Sequence, residues 1–281
     1  METQANSEIR EIEPFHIPET DCLIEFGHGI VSREKGKDGN KTKVWMPTHL
    51  LQGVEELGLR PDGSKNFIRT GVNREVPPDD PHSIVGGGIM TVTATLEVYE
   101  DLLKRGKPPK LIVHNDGRAG FLDKASPDDP SVSEGKFMKR LFEEKLHREY
   151  SGQELPEEEL TQWGRNTKDD ILHGLETALA HECASVSFVG LGIRLPRAEA
   201  FYEQIQEEDD RFKDIKVTFL PAEEIVKNIA MRNGREAQWQ NVMEKFKSSE
   251  GYKRTLQDEE AGTRAIKKGN YGEAIGGVGK T

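Results

Sequence analysis

Short hydrophobic runs, each stopped by glycine or a polar turn, alternate along this chain with longer stretches of helical apolar spacing. Cys22-Leu23-Ile24-Glu25-Phe26 reads as a buried strand closed by Gly27-His28-Gly29. Lys110-Leu111-Ile112-Val113 is continuously apolar, as expected of a strand covered on both faces. Further strands are predicted at Glu159 to Trp163, Ser185 to Val189 and Ile215 to Leu220. Between them lie helical patterns: Val92, Leu96, Tyr99 and Leu103 up to Gly106; Phe137, Met138, Leu141 and Leu146; Ile171, Leu172, Leu175, Ala178 and Leu179. Pro196 opens the next helix, at a position where a missing N–H costs nothing.

The alternation predicts an α/β fold, a Rossmann-like parallel sheet with helices on both faces, followed by a helical C-terminal extension. In such sheets ligands bind beyond the carboxyl ends of the strands, where strand order reverses. Residues 1–20 read as a loosely ordered leader and 21–220 as the α/β domain. Within that domain, residues 33–81 are an insertion: Arg33 to Lys43 has the composition of an exposed loop, and Pro47 to Leu59 has helical spacing at Leu50, Leu51, Val54 and Leu57. Residues 221–261 form the helical extension, with one long polar helix region from Pro221 to about Lys247, and glycine-rich 262–281 reads as a mobile tail.

Charge narrows the partners. The chain of 281 residues carries a net charge of −11 and no Lys/Arg run, which argues against nucleic acid and anionic membranes. No run approaches ~18 apolar residues, so no spanning helix is expected. The polar, acidic N-terminus has no signal-peptide pattern, and two cysteines, Cys22 and Cys183, suit free thiols in a reducing cytoplasm. The histidines and cysteines show no metal-ligand spacing, so no metal is expected, and no nucleophile elbow marks a serine hydrolase.

Candidate chemistry gathers at the predicted strand ends. Gly27 and Gly29 let backbone amides approach an oxyanion, with His28 between them as a donor. His114, Asn115 and Asp116 follow a strong strand; His114 and Asp116 are the expected acid/base pair, although Asn-Asp-Gly is also ordinary turn chemistry. Glu134, next to Ser133, and Asn166-Thr167 sit at helix starts, where capping alone accounts for such residues. Arg194 and Arg197 flank Pro196 at a helix start that disfavours positive charge, and so call for an anionic partner: a ligand or an internal acid. Gly86-Gly87-Gly88 lacks the spacing of a phosphate loop and reads as a connection. Gly276-Gly277-Val278-Gly279-Lys280-Thr281 has a P-loop look, but no helix follows it to face phosphates.

In this order the motifs resemble the YdcF-like domain of the SanA and ElyC relatives, over about residues 21–220. Leu23 to Ile30 matches the first strand and its glycine turn; Val98-Tyr99 with Gly106, then Ile112 to Gly117, match the next helix and strand. Ser133-Glu134, Asn166-Thr167 and Arg194-Leu195-Pro196-Arg197-Ala198 match the later helix starts. The family's His before Pro-Arg-Ala is Arg194 here, and its Ser-Gly-Gly is His114-Asn115-Asp116. The resemblance implies an enzyme-like domain that binds an anionic small molecule, phosphorylated or nucleotide-type, with S-adenosylmethionine one candidate and no defined reaction. The alternative is a non-catalytic binding or scaffold protein that has lost the family's chemistry.

Overall fold

The computed structural model describes residues 14–27, 30–35, 42–59, 65–69, 79, 83–116, 133–149, 156–161 and 166–269. A sheet of five parallel strands forms the centre: β1 (Cys22–Glu25), β7 (Leu111–His114), β8 (Glu157–Leu160), β9 (Ser185–Gly190) and β10 (Lys216–Pro221). Its order is β10-β9-β1-β7-β8, so the chain builds outward from β1 through β7 to β8, then returns to the other side of β1. The reversal lies between β1 and β9. This is the Rossmann-like α/β arrangement that the alternation predicts.

Side-chain alternation divides the core in two. Leu23, Ile112, Val189 and Leu220 face α1 (Gly88–Lys104), α2 (Glu134–Glu149) and α5 (Ala222–Arg232). Cys22, Ile24, Leu111, Val113, Val186 and Phe188 face α3 (Thr167–Ala180) and α4 (Leu195–Glu208). Gly174 is the point of closest approach on that face: a Cβ there would come within 2.9 Å of Ile24 Cδ1.

The insertion is β-structured. A β2–β3 hairpin pairs Ile30–Lys35 with Thr42–Pro47, and β4 (Leu51–Leu59) pairs with both β5 (Lys65–Arg69) and β6 (Ser83–Val85). Both the loop expected from Arg33 and the helix expected over Pro47 to Leu59 are therefore corrected. Gly53 and Gly58 each weaken a helix by roughly 1 kcal/mol, whereas β4 has a pairing partner on each edge. The strand expected at Glu159 to Trp163 begins earlier, at Glu157; residues 162–165 lie outside the described ones.

Both chain ends are also better anchored than expected. Phe15 N donates to Asn228 Oδ1 (2.9 Å), Asn228 Nδ2 donates to the Phe15 carbonyl (2.8 Å), and Ile17 is buried. Residues 14–20 are thus docked; 1–13 lie outside the described residues. The polar helix expected after Pro221 breaks at Gly234, whose φ of +65° suits a helix stop, and resumes as α6 (Glu236–Ser248). Next, α7 (Glu250–Lys267) runs straight through Gly262, where the tail was expected to begin. Gly262, Ala265 and Ile266 are buried, with Ile266 in the α3/α4 core, so packing outweighs the low helix propensity of glycine. The P-loop-like segment lies outside the described residues.

This packing makes α7 part of the domain. Ile266→Ala is expected to lower unfolding free energy by about 2–4 kcal/mol, the range for truncating a core isoleucine. Chemical denaturation checks it, and a loss below ~0.5 kcal/mol would return this segment to the status of a tail.

Candidate functional site

The chain leaves the carboxyl edge of the sheet after β1, β7, β8 and β9, and β10 runs directly into α5. In this fold the amides that open α1 ordinarily remain free for phosphate. Here the insertion uses them. Gly87 N donates to the His49 carbonyl (2.8 Å), Gly88 N to Thr48 Oγ1 (3.1 Å) and Ile89 N to the Thr48 carbonyl (3.1 Å). Gly87 has φ +103°, and a Cβ on it would come within 2.5 Å of Leu191 Cδ1, so an apolar plug stands beside that helix start.

The predicted residues occupy several depths. His28 and Gly29 lie outside the described residues. Gly27 closes β1, and its missing side chain makes room for an acid: a Cβ there would meet the Glu134 carboxyl carbon at 2.8 Å. Asn166 caps α3, accepting from Lys168 N (2.9 Å) and Asp169 N (3.1 Å). Asp116 accepts from Ser133 Oγ and from Gly135 N (3.3 Å), while Ser133 Oγ accepts from Lys136 N (3.2 Å). Together these two residues cap α2, so Asp116, expected as an acid or base, is engaged in closing a helix end.

His114, the other expected acid/base residue, is fully buried. Its Nδ1 lies 2.6 Å from Glu25 Oε2 and its Nε2 3.2 Å from Glu158 Oε2, with Phe142 edge-on beside the ring. Burial pulls its pKa down, but hydrogen bonds to Glu158 and Glu25 outweigh burial and raise it to about 9. His114 is therefore a buried cation that ties β7 to β1 and β8, inside the core and off the rim.

Arg194 and Arg197 reach the rim, and both meet groups of this chain. Arg194 Nη2 donates to the Val85 carbonyl (3.0 Å). Arg197 Nη2 donates to Thr167 Oγ1 (3.3 Å), and its Nε lies 2.9 Å from Glu259 Oε2 of α7. That last pair is close but off the line of a hydrogen bond, leaving each atom without one. Of the two partners foreseen for these arginines, the internal acid is present. A third acid, Glu223, accepts from Gly192 N through both oxygens (3.1 and 2.8 Å).

No family model, no curated protein and no solved structure matches this chain. The site is therefore argued from its own residues.

Two residues stand out at this edge. Asn115, directly after β7, is buried, and both Nδ2 and Oδ1 lack a hydrogen-bond partner among the described residues. Leaving such an amide unsatisfied costs about 1–3 kcal/mol per group. Asp170, in the first turn of α3, has its pKa pushed up to about 8 by burial, then by the carboxylates of Glu134 and Asp169, with Arg197 opposing. At neutral pH Asp170 thus favours its protonated form and can donate a hydrogen bond at this rim.

Asp170 and Glu259 were missed as site residues. Asp170 looks in sequence like one of two acids completing a cap, and Glu259 lies 62 residues past Arg197 on a face that only the packing of α7 reveals. Glu25 did carry a signal, as an acid inside an otherwise apolar strand.

Two outcomes test this geometry. Arg197→Ala strands Glu259 in a site where it is 8% exposed, and should cost about 2–3 kcal/mol; this is below the figure for a fully buried pair, because Arg197 keeps 19% exposure. Thermal or urea unfolding reads it, and an unchanged midpoint would free Arg197 for ligand work. The second concerns pH. His114 rises from 6.5 to about 9 on folding, so its contribution is complete below pH 6.5 and lost as pH passes 9. Asp170 rises from 3.8 to about 8, so it too makes folding less favourable as pH climbs through 8. Stability should therefore fall by about 3–4 kcal/mol between neutral and pH 9.5, and His114→Gln should remove the later part of that fall. A flat urea midpoint over this range would contradict the buried imidazolium.

Proposed function

We propose that this domain binds a small nucleotide-type ligand at the carboxyl edge of its parallel sheet, gripping it mainly through its hydroxyl and amide-like groups. The buried, unpartnered amide of Asn115 carries this reading. An asparagine offers one donor and one acceptor side by side, the pairing that reads an amide or nucleobase edge. Asp170, its pKa raised to about 8 beside Glu134, adds a donor suited to sugar hydroxyls and an acid. The reversal of strand order beside Gly27 supports the placement.

A phosphate group, if the ligand has one, competes with carboxylates already seated at the arginines and at Gly192. This favours recognition of the nucleoside part over a phosphate clamp. It also gives the second reading, binding without phosphoryl chemistry, a specific footing. Acid/base work, where it occurs, falls to Asp170 and Glu134 in place of His114 and Asp116.

Scanning fluorimetry with nucleosides, their mono- and triphosphates and sugar phosphates tests the proposal. At least one nucleoside should raise Tm, its phosphorylated forms should bind with similar affinity, and Asn115→Ala should weaken binding about tenfold, or roughly 1.4 kcal/mol. If nothing in the panel binds, the reading fails. If only phosphates bind, and Asn115→Ala leaves them unaffected, the arginines carry the site instead.

A further inference from the structure

Edge strand β8 carries three successive glutamates, and alternation sends them to different faces. Glu158 turns inward to His114, whereas Glu157 and Glu159 meet His181, the residue that closes α3. His181 Nε2 lies 2.8 Å from Glu159 Oε1 and its Nδ1 3.5 Å from Glu157 Oε2. One donor atom from each of the three side chains lies within 4.8 Å of the other two.

We propose that Glu157, Glu159 and His181 hold one divalent cation of the zinc type. One imidazole nitrogen with two carboxylates is a donor set that zinc accepts, with water completing the shell. A cation also suits the electrostatics. Two like charges two residues apart on one strand face repel one another, and the cluster sits at the carboxyl end of α3, where backbone dipoles favour positive charge. Lys110, which pairs with Asp21 (3.4 Å), lies nearby but is drawn to that other acid.

The position separates this site from the ligand rim. Glu157 is in register with Leu111, the first residue of β7, so the cluster lies toward the amino edge of the sheet. A cation there staples the end of α3 to the outermost strand, so its effect is on stability. The buried thiols of Cys22 and Cys183 pack close by, and Cys183 Sγ lies 3.8 Å from the His181 carbonyl. Thiolates would be the softer alternative for the same metal. Without a metal, the same charges would merely discourage strand pairing at an exposed edge.

Protein freed of metal with EDTA and titrated with ZnCl2 by calorimetry and scanning fluorimetry decides between these. The expected result is one bound equivalent and a raised Tm. Glu157→Gln, at an exposed side chain that leaves the fold intact, and His181→Ala should each weaken binding about tenfold or more. His147→Ala, on exposed α2 surface, should change nothing. Absence of stoichiometric binding, or binding indifferent to both substitutions, would overturn the proposal. So would a thiolate charge-transfer band on Co2+ addition, which would assign the metal to the cysteines.

Discussion

The rim of this protein is set by a charged contact inside its core, Glu25–His114–Glu158. Glu25 and His114 are in register across β1 and β7, and Glu158 approaches from β8, so one imidazolium ties three adjacent strands just below their carboxyl ends. Burying three ionisable groups is costly, and a well-packed apolar set would often be as stable or more so. The return is register. An apolar strand such as Leu111-Ile112-Val113, covered on both faces, gains little discrimination between one alignment and the next from hydrophobic burial alone. Slipping β7 against β1 would strand three charges in the core. Since Asn115 follows His114 directly and Gly27 comes two residues after Glu25, the same contact fixes where the rim residues stand.

What the rim offers a ligand then follows from the insertion. The chain between β1 and α1 folds into antiparallel strands and returns Thr48 and His49 to the start of α1, where they take the amides that this fold commonly presents to phosphate. Leu191 packs against Gly87 at the same place. With those donors occupied, the positive charge at the switch point among the described residues includes Arg194 and Arg197, held by Val85 and by Glu259 and Thr167. Other polar side chains at this edge are of a different kind: the amide of Asn115 and the acids Glu134 and Asp170. A loop insertion can thus occupy the start of a helix without altering the sheet.

The sequence made the parallel sheet legible because continuous apolar runs ending in glycine or polar turns have few alternatives, and the helix stops at Gly106 and caps at Asn166 behave as local chemistry requires. The errors share a cause. Leu50, Leu51, Val54 and Leu57 satisfy a helical period, yet long-range pairing with residues 65–69 and 83–85 decides for strand. Gly262 suggests an end to structure, yet the burial of Gly262, Ala265 and Ile266 against the domain carries α7 through it. At the site, capping residues were readable locally. Which arginine meets which acid was not, because Glu259 and Arg197 come together only when the last helix docks on α4.

That last docking couples the end of the chain to the rim. Glu259 sits 8% exposed against Arg197, Arg197 reaches Thr167 at the head of α3, and Asp170 one turn on feels the same guanidinium. Glu259 also favours the charged form of Arg194, so one acid of α7 acts on both arginines at the head of α4. Removing it would make this group of side chains more positive by one charge. The C-terminal helix therefore adjusts the charge at the rim as well as contributing to the core, through a residue far outside the αβ repeats that build the sheet.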